Sequence, residues 1–274
     1  MWRGLFHQGN EALMKDESNL IVVTGGASGI GEATVHRFAR AGWRLAVADV
    51  NAEGGEKVVA ALRKTGVDAR FFQVDLADEA SVTRFADAVV REQGVPDALV
   101  NAGGILQNAV RLLDLELSEF DRLFQINVRG TLVASRAFGK FMCEAGQGSI
   151  VNLCSMTTFR PSAQIGYAVG KSGLKLLTET IAAEWGPKGI RVNAVAPGYT
   201  LTQAMQARID AGQRDPEAVI SKSALRRFVK PSEVADAIYF LCSPEAAAIT
   251  GVTLPIDCGW LVSTAYQAYA SQPA

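Results

Sequence analysis

One segment near the amino terminus limits the folds open to this chain. An apolar run, LIVVT at 20–24, leads into the glycine-rich GGASGIG at 25–31 and then into an apolar-periodic helix. Gly25 permits a sharp exit from the strand, Gly29 lets backbone approach a pyrophosphate, and Gly31 lets the helix pack on the strand. The helix amino terminus offers N–H groups to anionic oxygens. A glycine turn without a ligand is the alternative, but the order of elements predicts a dinucleotide-binding βα unit with spacing G-x-x-x-G-x-G.

The next apolar run, RLAVADV, ends in an acidic residue, Asp49. A carboxylate at this place in a dinucleotide fold accepts hydrogen bonds from the adenosine ribose hydroxyls. It would repel a 2′-phosphate, and neither Val50 nor Asn51 supplies a positive charge to offset the repulsion. Asp49 therefore favours NAD, with NADP less favoured; a helix cap or turn residue is the alternative interpretation.

Strand-like runs recur along the chain and alternate with helix-like stretches. This alternation predicts an α/β fold, a doubly wound Rossmann-like parallel sheet of about seven strands with helices on both faces. We expect a single dinucleotide-binding and catalytic domain over 19–260, an amino-terminal extension over 1–18 that could be disordered, and a carboxyl-terminal tail over 261–274. The strands are expected near 20–24, 44–49, 69–74, 97–100, 149–153, 190–195 and 252–256.

Three polar residues suggest a proton-transfer device. Tyr167 and Lys171 are four residues apart and share one helix face, so the ammonium should favour phenolate and lower the tyrosine pKa from about 10. Ser155 follows SIVNLC, a strand-like run, and its hydroxyl should emerge at the carboxyl end of the sheet. A Tyr-x-x-x-Lys pair alone could be surface decoration, and only its place after the nucleotide loop favours chemistry.

Composition excludes several other classes. The formal net charge of −1 gives no electrostatic footprint for nucleic acid, and no run of about 18 apolar residues is present, so we expect a cytoplasmic protein without membrane contact. The four cysteines lack metal-ligand spacing and lie mostly in apolar runs, which predicts buried reduced thiols. With only two histidines, His7 and His36, no metal site is expected.

Taken in order, these motifs resemble the short-chain dehydrogenase/reductase family, in its single-domain branch, from about Leu20 to Trp260. The resemblance rests on TGGASGIG at 24–31, Asp49, VDL around Asp75, NAGG at 101–104, Asn127 in INVRG, Ser155, Tyr167 with Lys171, and PGYTLT at 197–202. It departs from the family pattern at Cys258, where glycine is usual, and at the apolar pair after Gly104. These departures bear on the substrate.

The resemblance implies roles for individual residues. Tyr167 would be the general acid/base, Ser155 would orient the substrate oxygen, and Asn127 would hold a water. Lys171 would bind the nicotinamide ribose and lower the pKa of Tyr167. The cofactor contacts it implies are Gly25, Ser28, Gly29, Ile30, Gly31, Asp49, Val50, Asp75, Leu76, Asn101, Ala102, Gly103, Tyr167, Lys171, Pro197, Gly198, Thr200 and Thr202.

The family resemblance also bears on the substrate pocket and the assembly. The polar stretch 201–227 is expected to be a mobile lid over the substrate. Core packing is an equal interpretation for its apolar residues Met205, Ile209 and Val219. The pocket candidates are Met205, Ile209, Val219, Tyr199, Gln164, Thr157 and Trp260. Ser118 with Asp121 resembles a capping box that opens a long helix, and Gly146 could end it. This helix and the one with Tyr167 would form the contacts of a homotetramer.

The expected function is interconversion of a secondary alcohol, such as a polyol, sugar or related hydroxy compound, with its ketone through hydride transfer to NAD. One alternative is a 3-oxoacyl or other ketone reductase. Another, from a different class, is an NAD-binding sensor without turnover, because a fold does not fix a function.

Overall fold

The fold is built on one parallel sheet. The structure is a computed structural model that describes residues 18–268, and its seven strands lie in the order β3-β2-β1-β4-β5-β6-β7. The strands are β1 Leu20–Thr24, β2 Arg44–Asp49, β3 Ala69–Gln73, β4 Ala98–Asn101, β5 Gly148–Leu153, β6 Ile190–Pro197 and β7 Thr253–Ile256. The predicted α/β class and strand number are confirmed, and the direction in which the chain is wound reverses between β1 and β4.

Helices cover both faces of the sheet. They are α1 Gly29–Arg40, α2 Ala52–Arg63, α3 Glu79–Gln93, α4 Leu117–Leu123, α5 Gly130–Ala145, α6 Ile165–Trp185, α7 Gln203–Asp210, α8 Pro216–Ile220, α9 Pro231–Cys242 and α10 Trp260–Gln267. Short 3₁₀ turns follow several of these elements, among them Met156–Thr158 directly after β5. The helices α1, α2 and α9 pack on one face, and α3, α5 and α6 on the other.

Side chains alternate along each strand between two separate cores. In β1, Leu20 and Val22 face the core shared with α3, α5 and α6, whereas Ile21 and Val23 face the core shared with α1, α2 and α9. Because both faces are buried, such strands are apolar throughout, which is why the sequence shows them as continuous apolar runs. Two packed cores hold the carboxyl ends of β1, β2, β4 and β5 in a fixed arrangement.

The segment predicted as one long helix is more complex. Ser118 and Asp121 do not form its capping box, because the helix begins two residues earlier than that box requires, at Leu117 with Glu116 as the N-cap. Between α4 and α5 the chain widens into a π-helical stretch, Phe124–Arg129, which contains Asn127. Gly146 ends α5 in the left-handed conformation, with φ of 73°.

Other terminal and thiol predictions meet the structure only in part. The proposed extension over 1–18 lies, except for Ser18, outside the described residues, as do residues 269–274. The segment predicted as a tail begins within α10, and the stretch predicted as a lid contains α7 and α8. The four cysteines are free, but only Cys154 is fully buried.

Candidate active site

A cavity of about 770 Å³ opens where the winding of the sheet reverses, at the carboxyl ends of its central strands. Such crevices are the usual ligand sites of open α/β sheets, and the volume lies within the usual range for ligand pockets. The predicted cofactor residues that line it are Gly25, Ser28, Gly29, Ile30, Gly31, Asp49, Val50, Asp75, Leu76, Ala102, Gly103 and Thr202.

The glycines make this cavity a cradle of bare backbone. A Cβ on Gly25 would lie 2.5 Å from the Cα of Gly103, and Gly25 itself has a φ of 68°. A Cβ on Gly31 would lie 2.0 Å from the carbonyl oxygen of Gly25. Only glycine fits these two positions, so the loop and the amino terminus of α1 can approach a ligand at backbone distance. The free N–H groups at that terminus suit a pyrophosphate, and the residues present therefore fit a nicotinamide dinucleotide.

Asp49 holds its carboxylate at the rim of this cradle. Its Oδ2 accepts the N–H of Ala27 at 3.0 Å, and its Oδ1 accepts the N–H of Asn51 at 3.0 Å. These two bonds tie the end of β2 to the glycine loop and fix the carboxylate in orientation. The carboxylate still lines the cavity and can accept further hydrogen bonds from a ligand.

Ser155 lies where β5 ends and is held there by its own turn. Its Oγ accepts the N–H of Thr157 at 3.3 Å, and its N–H donates to Thr158 Oγ1, a capping box for the 3₁₀ turn. The Ser155 hydroxyl also lies beside the Tyr167 hydroxyl, whose pKa it acts to lower as a donor. The structure thus brings Ser155 and Tyr167 together, as their order in the sequence suggested.

Lys171 lies on the same face of α6 as Tyr167, with its Nζ 5.5 Å from the centre of the tyrosine ring. The amine is buried and donates to the carbonyl oxygen of Leu153, a residue of the cavity wall. A Cβ on Gly104, on the same wall, would lie 3.9 Å from that Nζ. Lys171 therefore adjoins the cavity from behind its wall.

The predicted lowering of the Tyr167 pKa is wrong for this structure. Burial raises the pKa of Tyr167 to about 12, and the hydrogen bond from Ser155 only partly counters it. Burial also lowers the pKa of Lys171 to about 8. Desolvation disfavours the charged form of both groups, and Lys171 is not among the groups that lower the pKa of Tyr167.

Asn127 sits in the π-helical stretch and reaches across to the loop after β4. Its Oδ1 accepts the N–H of Ile105 at 2.8 Å, and its Nδ2 donates to the carbonyl oxygen of Ile105 at 2.9 Å. Its own carbonyl oxygen accepts the Thr131 hydroxyl at 2.9 Å. A widened helical turn at a functional residue is a common use of π geometry. The water role of Asn127 stays a prediction.

Some predicted cofactor residues do not reach the cavity wall. The side-chain amide of Asn101 points into the core, where it donates to Ser135 Oγ and Asn152 Oδ1. Also absent from the wall are the predicted contacts Tyr167, Lys171, Pro197, Gly198 and Thr200, whereas Thr202 is part of it. Thr200 Oγ1 donates to the carbonyl oxygen of Gly198 at 3.1 Å, in the turn before Thr202.

Sequence reasoning missed other residues of the wall. Those not singled out as contacts are Thr24, Ala48, Val74, Ala77, Gly104, Ile105, Leu106, Arg122, Gln125, Ile126, Leu153, Gln203 and Ala204. The only signal that could have marked some of them was adjacency to a motif, as for Gly104 and Leu153. Arg122 and Gln125 lie in α4 and in the turn after it. The helix pattern in the sequence does not show that this face of the helix borders the cavity.

The substrate-pocket candidates divide into two groups. The rings of Tyr199 and Trp260 meet edge to face with centroids 6.0 Å apart, and Met205 and Ile209 are half-buried on α7. In contrast, Val219 is buried in the protein. Gln164 and Thr157 lie close in sequence to Tyr167 and Ser155. The Gln164 side chain donates to the loop after β4, and Thr157 Oγ1 is buried without a hydrogen bond.

Neither a metal cluster nor a membrane span was found in the described part of the chain. Between residues 18 and 268 no group of three or more His, Cys, Asp or Glu side chains is arranged to hold a metal ion. None of the helices in that range combines the length and apolar character needed to cross a bilayer.

Comparison with known proteins agrees with this architecture. A family model described as enoyl-(acyl carrier protein) reductase matches residues 25–261. The chain is 39% identical over 247 residues to D-threitol dehydrogenase of Mycolicibacterium smegmatis. The alignment covers 90% of this chain and 94% of that protein.

Solved structures share the whole fold. One described as ribose-5-phosphate isomerase from Brucella melitensis 16M has a TM-score of 0.88 and 38% identity, covering 94% of this chain and 98% of that one. A structure of NAD⁺-bound xylitol dehydrogenase has a TM-score of 0.84 and 32% identity, and the match covers 89% of this chain and 100% of that one. Other similar structures hold NADP or NADPH. The chain belongs to the short-chain dehydrogenase/reductase family, whose members are oxidoreductases that bind a nicotinamide cofactor.

Proposed function

We propose that the protein is an NAD-dependent dehydrogenase that interconverts a secondary alcohol with its ketone, with Tyr167 as the general acid/base. The observation that carries the proposal is the placement of Tyr167 beside Ser155 and Lys171, whose Nζ donates to the carbonyl oxygen of Leu153 in the cavity wall. A tyrosine, a serine and a lysine gathered in this way are the groups that acid–base chemistry at one substrate oxygen needs.

The proton moves at the Tyr167 oxygen. In the oxidation direction, the alcohol O–H gives its proton to Tyr167 while the C–H bond of the same carbon breaks and a carbonyl forms. A bound nicotinamide supplies the redox chemistry by accepting that hydride. Ser155 hydrogen-bonds the substrate oxygen in both directions. Because the pKa of Tyr167 is raised to about 12, the phenol is protonated at neutral pH and suited to donate to a carbonyl oxygen. Oxidation, which needs the phenolate, should speed up with rising pH.

Asp49 supports NAD over NADP. Its fixed carboxylate lines the cavity, and Val50 and Asn51 beside it carry no charge to neutralise a 2′-phosphate. Arg44, at the opposite end of β2, donates to Ser18 and Gln93 carbonyl oxygens instead. NAD is therefore the cofactor we assign.

The proposed substrates are polyols, sugars or related hydroxy compounds. Two of the similar proteins are named for threitol and xylitol, both polyols. The substrate-pocket candidates include the phenol of Tyr199 and the indole of Trp260, whose rings meet edge to face, and the hydroxyl of Thr157. Such mixed polar and aromatic walls suit a small hydroxylated compound better than a long acyl chain.

The direct test is Tyr167→Phe, assayed with NAD and a panel of polyols, sugars and cyclic diols while NADH formation is followed. Loss of the general acid/base should lower kcat by about 10²- to 10⁴-fold, and NAD affinity should stay within about twofold. Tyr266→Phe, an exposed tyrosine on α10, is the matched control and should turn over normally. A Tyr167→Phe variant as fast as wild type would reject the assignment.

A second candidate is an aldose–ketose isomerase, favoured only by the name given to the Brucella melitensis structure. Such an activity needs no net redox change, so it would convert ribose 5-phosphate without forming NADH. Assaying that substrate without added cofactor separates the two functions. Acyl thioesters with NADH or NADPH in the same panel test the 3-oxoacyl reductase alternative.

The assembly we propose is a homotetramer. Leu132 on α5 and Val169 and Leu176 on α6 are exposed apolar side chains on the two helices assigned to subunit contacts. Apolar side chains on neighbouring helices favour burial against another copy. Sedimentation equilibrium that returned the mass of a single chain, 29.2 kDa, would reject the tetramer.

A further inference from the structure

The loop that follows β4 carries a buried glutamine, Gln107, which the motifs do not include. Its side chain is 1% exposed, although the neighbouring Leu106 is largely exposed. Burying an amide requires hydrogen bonds to replace those with water. The partners of Gln107 therefore show what the residue does.

The helix that carries Tyr167 lacks a cap of its own. Its N-cap is Gln164, whose side chain makes no capping bond to the helix. The first N–H groups of a helix have no partner within the helix and are usually satisfied by the side chain of the N-cap residue. Here the third helical residue, Tyr167, donates its N–H to Gln107 Oε1 at 3.1 Å.

The two glutamines exchange hydrogen bonds between separate segments. While Gln107 accepts the N–H of Tyr167, Gln164 Nε2 donates to the carbonyl oxygen of Gln107. A backbone bond from Val110 N–H to the carbonyl oxygen of Ala163, at 3.0 Å, runs alongside them. The arrangement does for two distant segments what a capping box does within one helix.

We propose that Gln107 is a positioning residue for Tyr167: by capping the helix from the loop after β4, it fixes the tyrosine relative to Ser155 and Lys171. The inference rests on the proposed function. The same loop is held two residues earlier by Asn127, which brackets Ile105 on both sides. Through the loop, Asn127 and Gln107 tie the π-helical stretch to the first turn of α6.

The amide of Gln107 allows position and stability to be separated. Its Oε1 faces the Tyr167 N–H, and its Nε2 is buried with no partner among the described residues. An unpaired buried donor destabilises a protein by about 1–3 kcal/mol. An apolar side chain of similar length has neither the unpaired donor nor the acceptor for the Tyr167 N–H. The free energy of unfolding should therefore change little, while Tyr167 loses its fixed position.

The experiment compares Gln107→Met with Gln107→Glu and with the control Gln93→Met. Gln93 is also buried, and its side-chain amide also has no partner among the described residues. It lies at the end of α3, at the amino-terminal edge of the sheet, where its backbone carbonyl oxygen accepts a hydrogen bond from Arg44. That edge is opposite to the one that carries Tyr167 and Ser155. Gln107→Met should lower kcat by about 10- to 100-fold, the cost of a misplaced catalytic group, with NAD affinity unchanged and little change in Tm. Gln107→Glu keeps an acceptor oxygen. Burial keeps its carboxyl protonated at neutral pH, so carbonyl reduction by NADH should stay within about threefold of wild type.

A second measurement does not depend on turnover. The chain has five tyrosines, so ¹⁵N-tyrosine labelling gives a sparse amide spectrum in which Tyr167→Phe identifies the Tyr167 signal. In Gln107→Met that amide should move and lose protection from hydrogen exchange, whereas Gln107→Glu should retain it. This result can be obtained even if no substrate is found, so failure of the proposed function and failure of the inference are distinguishable.

Two outcomes would overturn the inference. One is a Gln107→Met enzyme with normal kcat and a protected Tyr167 amide. The other is an equal loss of kcat and of Tm in Gln107→Met and Gln93→Met, which would mean that any buried glutamine matters only for folding. Should Gln107→Met not fold, an exposed Tyr167 amide in the folded Gln107→Glu protein would overturn it as well.

Discussion

The proposed active site has two ends, a nucleotide end and a catalytic end, that are built in opposite ways. The glycine loop and Asp49 of the nucleotide end come from one continuous stretch, β1 to β2, and the glycines there leave the backbone bare. The catalytic end gathers Gln107, Asn127, Ser155, Tyr167 and Lys171 from segments far apart in the chain. The first region depends on the absence of side chains, and the second on side chains held by one another.

This difference has an energetic side. The nucleotide end presents N–H groups and one carboxylate, Asp49, that is satisfied by two backbone bonds. At the catalytic end, burial moves the pKa of Tyr167 up to about 12 and that of Lys171 down to about 8. The buried Lys171, whose charged form is disfavoured, reduces the stability of the folded state at neutral pH, whereas the Tyr167 phenol is neutral there in both states and does not. Perturbed pKa values of this kind are common at functional sites. Substitutions at the two ends should therefore fail in different ways.

The largest effect is expected from Gly31→Ala, at the nucleotide end. Its Cβ would lie 2.0 Å from the carbonyl oxygen of Gly25, and the nearest atoms, in Gly25 and Gly26, are all backbone, so no flexible side chain can move aside. The amino terminus of α1 must shift, and NAD affinity measured by calorimetry should fall by about 100-fold. The control is Gly173→Ala on α6, where a Cβ meets no atom within 4 Å. Normal NAD binding by Gly31→Ala would contradict the conclusion that the nucleotide end depends on the absence of side chains.

The same contrast explains what the sequence could predict. Each predicted strand lies within about two residues of an observed one, as for β1 at Leu20–Thr24, because strands buried on both faces read as continuous apolar runs. The glycine cradle was also predictable, since its residues are neighbours in the chain. Local pattern carried this information without any knowledge of tertiary contacts.

The catalytic end could be predicted only as a set of residue names. The widened turn at Phe124–Arg129 depends on Asn127 reaching Ile105, a contact between segments 22 positions apart. The capping role of Gln107 spans 60 positions. The direction of the Tyr167 pKa shift depends on burial, which the spacing to Lys171 does not show. The inward turn of the Asn101 side chain likewise follows from the core around it.

A smaller effect is expected from Asp49→Asn, which tests charge at the nucleotide end. The amide removes repulsion toward a 2′-phosphate while it keeps an oxygen for a backbone N–H. The ratio of kcat/KM with NAD to that with NADP should fall by about 10-fold, which corresponds to the loss of about one pKa unit of charge interaction. Asp87→Asn, an exposed carboxylate on α3, should leave the ratio unchanged. If the ratio of kcat/KM with NAD to that with NADP did not change in Asp49→Asn, the Asp49 carboxylate would not distinguish the ribose hydroxyl from a 2′-phosphate. That result would weaken the assignment of NAD.

The smallest effect, and the one that most sharpens the contrast, is a gain of stability in Lys171→Met despite loss of activity. Burial lowers the pKa of Lys171 from its ordinary 10.5 to about 8, so the folded protein binds this proton less tightly than the unfolded chain. Between pH 8 and 10.5 the unfolded chain holds more protons, and wild-type stability from this group rises with pH; below about pH 8 the full penalty is present. Methionine removes the penalty, roughly 3 kcal/mol for such a shift, but loses the bond to the Leu153 carbonyl oxygen, worth about 1 kcal/mol. We expect Lys171→Met to be more stable than wild type by about 1–2 kcal/mol at pH 7 in urea unfolding, with the difference narrowing toward pH 10.5.

The control is Lys175→Met, one turn further along α6, where the lysine pairs with the half-exposed Glu179. This substitution should change the free energy of unfolding by less than about 1 kcal/mol, and the change should not depend on pH in the same way. A Lys171→Met protein less stable than wild type at pH 7 would show that the buried amine stabilises the fold, and the catalytic end would then carry no cost in stability from this group.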